Sequence, residues 1–438
     1  MTAEVAIINA NAVAIAADSA VTIGSGKKIY NSALKVFALS KIAPVGIMVY
    51  GNAGLLGVPW ETLIKIYRSE LGLNMFKTLE EYADDFFKFL ANSPSYFPKE
   101  VQESWIRSNI AGYYELIRVQ LFKMVEHKFK EQGSIDDSET IQIFLGCVKE
   151  HHADLVKRPF AKGFGKSTEA TLRKNHTDLS KKIIEEIFQG IKTSREIISK
   201  LYDISAMLHS REIFSDSRSG VVFAGFGDEE IYPAVCTFEI EGIIGKKLKY
   251  KHLDNKSMKV NQSNDCSIIP FAQDDMVASF MEGVNPAVAH FINQYLHQLI
   301  SRFPDLLDDA DIEGDENKKA KFRKDLKKKV EGIITEFFQQ LSAHKQSEHV
   351  LPILSMVQVL PKDELAAMAE SLVNLTAFKR RMTEQLETVG GPIDVAVISK
   401  GDGLVWVKRK HYFPPELNQH FFANYYREIK CETEKTDK

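Results

Sequence analysis

Short apolar runs at the start of the chain predict β-strands. Residues 2–8 and 12–17 are almost entirely apolar, and residues 9–11 (Asn-Ala-Asn) separate them. Because asparagine tolerates positive φ, this spacing predicts a tight hairpin. Residues 34–39 and 45–50 form a second pair of apolar runs. Their continuous apolar character favours strands that are covered on both faces.

Helical periodicity replaces this pattern from Pro59 onward. Pro59 suits the first position of a helix, and Thr78-Leu-Glu-Glu81 has the form of a capping box. From there to about residue 212, Leu, Ile and Phe recur at helical spacing among Lys and Glu. The pattern predicts a helical stretch of more than a hundred residues.

The second half of the chain returns to strands twice. Strand character is present at 220–240 and near 247–252, helical character at about 275–303 and 362–382, and strand character again at 392–399 and 403–409. The order of strands, helices, strands, helices and strands predicts two sheets with helices packed outside them.

Composition narrows the class of protein. The 438 residues carry a formal charge of −3, with 44% hydrophobic and 26% charged residues, as in ordinary globular proteins. The four cysteines lie far apart, which excludes a disulfide framework and a cysteine-rich zinc site and fits the cytoplasm. No apolar run reaches the ~18 residues of a membrane helix, and the start lacks the basic region of a secretion signal. The near-neutral charge argues against nucleic acid as a partner.

Four residues near the start of the chain form a candidate site. Thr2 follows Met1, Asp18 follows the second predicted strand, Lys35 enters the third, and Gly51 follows the fourth. Residues at the ends of adjacent strands can converge on one edge of a sheet. We therefore expect these four residues to meet.

The segments that carry these residues resemble a known family. VAIAADSAVTIG, LKVF and VYGNAG resemble the front of proteasome β-subunits and of the two-component bacterial proteasome peptidase, which are N-terminal nucleophile hydrolases. Asp18 lies sixteen positions after Thr2, as in the family, and Lys35 falls one residue later than the family spacing. Gly51 matches the oxyanion glycine, and Thr22 matches the threonine of the substrate-binding strand. The resemblance is strong over roughly residues 2–70.

The resemblance implies a fold and its boundaries. The expected fold is α+β: the four-layer αββα sandwich of the N-terminal nucleophile hydrolases, with a large helical insertion. We expect the N-terminal part of this domain at 1–91, a helical insertion at 92–215, the domain continued at 216–304, a charged helical insertion at 305–350, the C-terminal helix and strands at 351–430, and a disordered tail at 431–438.

The resemblance also implies a chemistry. Removal of Met1 would place a hydroxyl and a free α-amine on Thr2, and an α-amine has an ordinary pKa of ~7.7–8.0. A nearby Lys35 cation would lower that pKa, so that Thr2 could act as nucleophile and base together. Asp18 would hold Lys35, and the Gly51 N–H would stabilise the oxyanion by ~2.7–4 kcal/mol.

Further roles follow from the family positions. The substrate strand is expected to pair with the backbone around Thr22, and an apolar specificity pocket is expected to be lined by Ala20, Val21, Val49 and Ala53. The family's supporting serine has no obvious counterpart, and Gln273 or Asp274 could replace it. Its supporting aspartate would fall near Glu387.

The resemblance implies the partners as well. The substrate would be a peptide or unfolded protein, and the chain would assemble with copies of itself. A separate ATP-dependent unfoldase could deliver the substrate. No metal or organic cofactor, nucleic acid or membrane is implied.

Two alternatives remain open at the level of the sequence. The first is an amidase of the same fold that acts on a small amide. The second is a non-catalytic assembly or binding subunit, which retention of Met1 would favour. Taken singly, Asp18 is more often a turn cap and Lys35 a surface lysine. Only their combination at family spacing points to catalysis.

Overall fold

A computed structural model describes residues 2–23, 28–302, 316–383 and 389–423. At 22, 23 and 316 it describes the backbone alone. Glu387, the tail at 431–438 and the acidic part of the 305–350 segment lie outside these residues. The chain divides into two compact units. The first unit comprises Met1–Ala33 and Lys259–Leu417, and the second comprises Leu34–Met258 and the residues from Asn418 onward.

The described residues form fifteen strands. In chain order they are β1 (Ala3–Ile8), β2 (Ala12–Ala17), β3 (Val21–Ile23), β4 (Lys28–Tyr30), β5 (Val36–Ala38), β6 (Val45–Gly51), β7 (Gly54–Leu55), β8 (Val58–Pro59), β9 (Ser219–Gly225), β10 (Ala234–Ile244), β11 (Lys247–His252), β12 (Met258–Lys259), β13 (Ser267–Ala272), β14 (Asp394–Ser399) and β15 (Gly403–Lys408).

The same residues form twelve α-helices. They are α1 (Trp60–Leu71), α2 (Leu79–Ala91), α3 (Lys99–Gln132), α4 (Asp137–Lys157), α5 (Lys166–Asn175), α6 (Thr177–Ile187), α7 (Arg195–Ser210), α8 (Asp275–Glu282), α9 (Pro286–Arg302), α10 (Glu316–Lys345), α11 (Leu351–Val359) and α12 (Lys362–Arg381). Within the described part of the chain, no helix combines the length and apolar content that a bilayer crossing requires.

The first unit is built on a five-stranded antiparallel sheet in the order β13-β1-β2-β14-β15. Every residue of β1 and β2 is buried. Helix α12 packs on β1, β2 and β14. Its buried residues Leu365, Ala369, Leu372 and Val373 recur at helical spacing and form one apolar stripe.

The first hairpin is confirmed, but its turn works differently from the prediction. No residue of the turn has positive φ. Instead the Asn9 side-chain oxygen accepts hydrogen bonds from the backbone N–H groups of Asn11 (3.0 Å) and Ala12 (3.3 Å). The Asn9 amide nitrogen donates to the carbonyls of Val357 and Leu360, both at 3.0 Å. Asn9 therefore closes the turn and anchors it to the end of α11.

The second unit is built on a sheet in the order β11-β10-β9-β6-β5, with β12 attached to β10. The pairings of β5 with β6 and of β9 with β10 are antiparallel, as the apolar runs predicted. Helices α1 and α2 cover the sheet with an aromatic core. In that core the rings of Phe86 and Phe223 lie 5.9 Å apart, and those of Tyr67 and Phe86 lie 5.0 Å apart.

The long helical stretch is confirmed as α2–α7. Thr78 caps α2 by accepting from the Glu81 N–H, whereas the Glu81 carboxylate accepts from Lys77 rather than from Thr78, so only half of the capping box forms. Helices α3, α4, α6 and α7 bury a separate apolar cluster. A buried ion pair ties α7 to the sheet, because Lys249 Nζ lies 2.6 Å from Glu241 and also donates to the Leu208 carbonyl of α7.

The α+β class with antiparallel sheets is confirmed. No strand was predicted at β4, β7, β8 or β12, which have two or three residues each, or at β13, which has six. Pro270 lies in the middle of this strand, opposite Val5, and a proline normally argues against a sheet interior. Because β13 is an edge strand, its proline is tolerated. The stacking of the two sheets into a four-layer sandwich stays a prediction.

Candidate active site

The carboxylate of Asp18 organises the start of the chain in the first unit. Asp18 lies directly after β2 and is fully buried. Its Oδ1 accepts a hydrogen bond from the Ala3 N–H at 3.2 Å, and its Oδ2 accepts from Ala20 at 3.2 Å and from Gly390 at 2.9 Å. Three backbone donors thus replace the water that a buried carboxylate loses. Asp18 is a structural clamp on the residue that follows Thr2.

Thr2 itself is buried and lies directly before Ala3, the first residue of β1. The ladder between β1 and β13 runs to the pair Ala3–Ala272, so Thr2 and Gln273 are the next residues along the two strands. Ala272 has a φ of +60°, an unusual conformation for a residue with a side chain. Such strain concentrates at functional sites, and here it marks the strand end that lies beside Thr2.

Gln273 is one of the two residues that the sequence offered in place of the family's serine. Its side chain is buried, and its Oε1 accepts a hydrogen bond from Arg380 Nε at 2.7 Å. Because arginine only donates, this contact fixes the orientation of the amide. Gln273 Nε2 is buried and has no hydrogen-bond partner among the described residues. Asp274, the other candidate, lies at the start of α8.

The second unit holds the other two predicted catalytic residues. Lys35 is buried directly before β5, and its carbonyl accepts from the Val49 N–H at 3.0 Å. Gly51 ends β6 with a φ of +81°, and a Cβ added there would lie 2.8 Å from the Arg218 carbonyl oxygen. Only glycine fits this position without strain. Position 51, the predicted oxyanion position, therefore requires glycine for backbone reasons.

The predicted substrate residues divide between the same two units. Ala20 is buried beside the Asp18 carboxylate, and Val21 and Thr22 lie in β3. Val49 is buried within β6, and Ala53 is exposed in the turn after it. In the first unit the Asp18 carboxylate holds the backbone of Ala20 and of Ala3, the residue after Thr2. In the second unit Lys35 lies directly before β5, and Val49 and Gly51 lie in the neighbouring strand β6. The meeting of the two groups stays a prediction.

Sequence reasoning missed one residue of this site. Gly390 donates to Asp18 and its carbonyl accepts from the Ser19 N–H at 3.1 Å, although it lies 372 positions after Asp18. The pair of glycines at 390 and 391, both with positive φ, was the available signal for a special backbone conformation.

Comparisons with known proteins add little to this geometry. No protein-family profile matches the chain, and no curated protein matches it either. Among solved structures, the chain is similar to Anbu (ancestral beta-subunit) from Yersinia bercovieri. That alignment covers 99% of this chain and 94% of the other, at 9% sequence identity and a TM-score of 0.25. At that TM-score the alignment carries no argument about activity.

Proposed function

We propose that the chain is a proteasome-like threonine peptidase, with Thr2 as its nucleophile after removal of Met1. The observation that carries this proposal is the clamp at Asp18. A fully buried carboxylate holds the backbone one residue after a threonine that stands second in the chain. A buried charge is costly unless it is paired and hydrogen-bonded. In the proposed enzyme Asp18 also compensates the Lys35 ammonium.

The proposed reaction is acyl transfer in two steps. The Thr2 hydroxyl oxygen attacks the carbonyl carbon of the scissile peptide bond, and its proton passes to the Thr2 α-amine. The Gly51 N–H stabilises the oxyanion. The tetrahedral intermediate then expels the leaving amine, which takes the proton from the α-ammonium. Water, deprotonated by the α-amine, attacks the resulting ester and releases the acid, which restores Thr2.

A peptide fits the proposed site better than a small amide because β3 offers a strand edge. In the described part of the chain β3 pairs with β4 alone, in the register Thr22–Ile29. Its other edge has no strand partner among these residues, so an extended peptide could add there through backbone hydrogen bonds. This supports peptide hydrolysis over the amidase alternative.

The proposal includes the cellular setting that the family resemblance implies. The chain would act in the cytoplasm as an assembly of identical subunits, on peptides or unfolded proteins. A separate ATP-dependent unfoldase could deliver longer substrates. Nucleic acid and membrane have no part in the proposal.

The test combines mass spectrometry with peptide hydrolysis. The intact mass of the purified protein should be lower than that of the full sequence by one methionine residue. Fluorogenic peptides should be hydrolysed by the wild type, and Thr2→Ala should lower kcat by at least about 100-fold because it removes the nucleophile. Alanine is also small, so Met1 should be removed from the variant as well. Wild type and variant should then both begin at residue 2. Thr2→Ser should keep measurable activity because it retains the hydroxyl.

Two outcomes would contradict the proposal in different ways. Hydrolysis that survives unchanged in Thr2→Ala would reject Thr2 as the nucleophile. Retention of Met1 in a wild-type protein that hydrolyses no peptide would favour the non-catalytic binding subunit instead.

A further inference from the structure

A cleft of about 500 Å³ opens in the second unit directly after Gly51. One wall is the turn that follows β6, beginning at Asn52, and the other is the first half of α3. Asn52 holds the turn in place, because its backbone N–H donates to the Arg218 carbonyl at 3.2 Å and its amide nitrogen donates to the Ser217 carbonyl at 3.0 Å. The cleft therefore has one rigid wall beside the proposed oxyanion glycine.

Trp105 supplies the aromatic surface of the other wall. Its ring packs over Gly242, where a Cβ would lie 2.6 Å from the ring, so β10 is shaped to receive it. On another side the His209 ring meets it edge-on at 5.3 Å and 81°. Val101 and Ser108 also line the cleft, one helical turn before and one after Trp105. The indole is thus held by the fold while it borders an open space.

The charge of the cleft is negative. Glu100 and Glu241 line it, whereas none of its described lining residues is Lys, Arg or His. The charge of Glu241 is compensated by Lys249 Nζ at 2.6 Å, and its Oε1 accepts from the Ser215 N–H at 2.7 Å. Glu100 is exposed and forms no ion pair within the described part of the chain. The cleft is therefore lined by one uncompensated carboxylate and by an indole ring.

We infer that this cleft binds a lysine or arginine side chain of the peptide substrate. A cation over a tryptophan face is attracted by the ring quadrupole, and a planar guanidinium can stack there while it donates to a carboxylate. The hydroxyls of Ser104 and Ser108 supply further acceptors. Helix α3 belongs to the helical insertion, so the insertion would set substrate preference. That the bound peptide is a substrate rests on the proposed function, whereas the binding of its cationic side chain does not.

The test measures binding without catalysis. Dye-labelled octapeptides of alanine and serine, with a single Arg, Gln or Glu moved through each position, are titrated against the Thr2→Ala protein by fluorescence anisotropy. At one position we expect Arg to bind about tenfold more tightly than Gln, and Glu to bind more weakly than Gln. Glu100→Gln should reduce the preference for Arg over Gln to about twofold or less, at unchanged thermal stability.

Glu103→Gln is the matched control, because Glu103 is exposed on the same helix but does not line the cleft. It should leave the preference intact. Trp105→Leu should also remove the preference, with folding checked by the melting temperature. Absence of an Arg preference at every position, or a preference that survives Glu100→Gln, would overturn the inference.

The two proposals fail separately. A wild-type protein that hydrolyses nothing while the Thr2→Ala protein prefers Arg would reject the peptidase and keep the cleft. A wild-type protein that hydrolyses peptides while Arg and Gln bind alike would reject the cleft and keep the peptidase.

Discussion

At the scale of single residues, the functional interpretation rests on how buried polar groups find partners. Asp18 is buried, yet its carboxylate accepts from Ala3, Ala20 and Gly390. The sequence predicted a catalytic role for Asp18 but gave Lys35 as its only partner. The three backbone donors could not be foreseen, because the donor at Gly390 reaches Asp18 only through the pairing of β2 with β14.

Gln273 carries a prediction at this scale. Gln273 directly follows β13, whose last residue pairs with Ala3, and its amide nitrogen is a buried donor because Arg380 holds the amide oxygen. A donor to the lone pair of the neutral α-amine of Thr2 would disfavour the protonated amine and lower its pKa. Gln273→Leu should therefore shift the acid limb of the pH profile of kcat/KM to higher pH by about one unit.

A structural glutamine provides the control for this prediction. The Gln102 side-chain oxygen accepts from the Gly245 N–H at 2.9 Å, and its nitrogen donates to the Phe97 carbonyl at 2.8 Å. Gln102→Leu should therefore lower stability without moving the acid limb. An acid limb that stays in place in Gln273→Leu would show that Gln273 has only a packing role.

At the scale of elements, the predicted helical insertion contains a pair of buried histidines. The rings of His176 and His209 lie 5.3 Å apart, and His209 Nδ1 donates to the Ser205 carbonyl at 2.8 Å. Burial lowers the pKa of His176 to about 4. Burial also lowers the pKa of His209 well below its usual value, and the neighbouring His176 and Lys249 add to that effect. Both histidines are therefore neutral at pH 7.

This pair predicts that the insertion loses stability in acid. Below about pH 6.5 the unfolded chain binds protons at both histidines, whereas the folded chain does not until about pH 4 at His176. Since the unfolded state then holds more protons, stability falls as pH falls. The loss at His176 should be ~1.6 kcal/mol between pH 6.5 and pH 5, and His209 should add a loss of the same sign. Urea unfolding at pH 7, 6 and 5 measures it.

His176→Asn tests the origin of this pH dependence. The His176 side chain makes no capping hydrogen bond to α6, and asparagine is a favourable residue at this position, so the variant removes one titrating group without removing a cap. Its stability should fall less steeply with decreasing pH than that of the wild type. The control is His127→Asn, at an exposed position, which should leave the slope unchanged. Equal slopes in His176→Asn and the wild type would contradict the explanation.

At the scale of the whole molecule, helix α9 leaves an apolar face without cover from the described residues. None of its residues is buried, and Phe291 and Tyr295 are 64% and 53% exposed. Val288, Ile292, Tyr295 and Leu299 follow each other at spacings of four, three and four residues, which is typical of a seam between two helices. Large exposed apolar faces mark interaction sites, and a two-fold axis would pair this face with itself.

We therefore expect the chain to assemble with copies of itself through α9. Light scattering on the eluted protein should give a multiple of the 49.5 kDa chain mass. The double substitution Phe291→Lys and Tyr295→Lys should lower that multiple because it places charge on the exposed apolar face of α9. Val359→Lys, at another exposed apolar position, should leave the multiple unchanged. A monomeric wild type, or a double variant that assembles as before, would reject α9 as the assembly surface.

The sequence by itself determined the local elements and the candidate chemistry. Apolar runs of strand length predicted β1, β2, β5 and β6, and helical periodicity predicted α2–α7, because these patterns depend on consecutive residues. The spacing of Thr2, Asp18, Lys35 and Gly51 pointed to catalysis through resemblance alone. None of this required knowledge of which elements touch.

Only the tertiary structure decided which distant segments complete the site. It paired β13 with β1 despite Pro270, and so brought Gln273 to the strand end beside Thr2. The tertiary structure also brings the Gly390 N–H within hydrogen-bond distance of Asp18. It packs the Trp105 ring over Gly242, where the ring lines a cleft. These contacts depend on strand register and on burial summed over the chain, and no short window of residues contains either quantity.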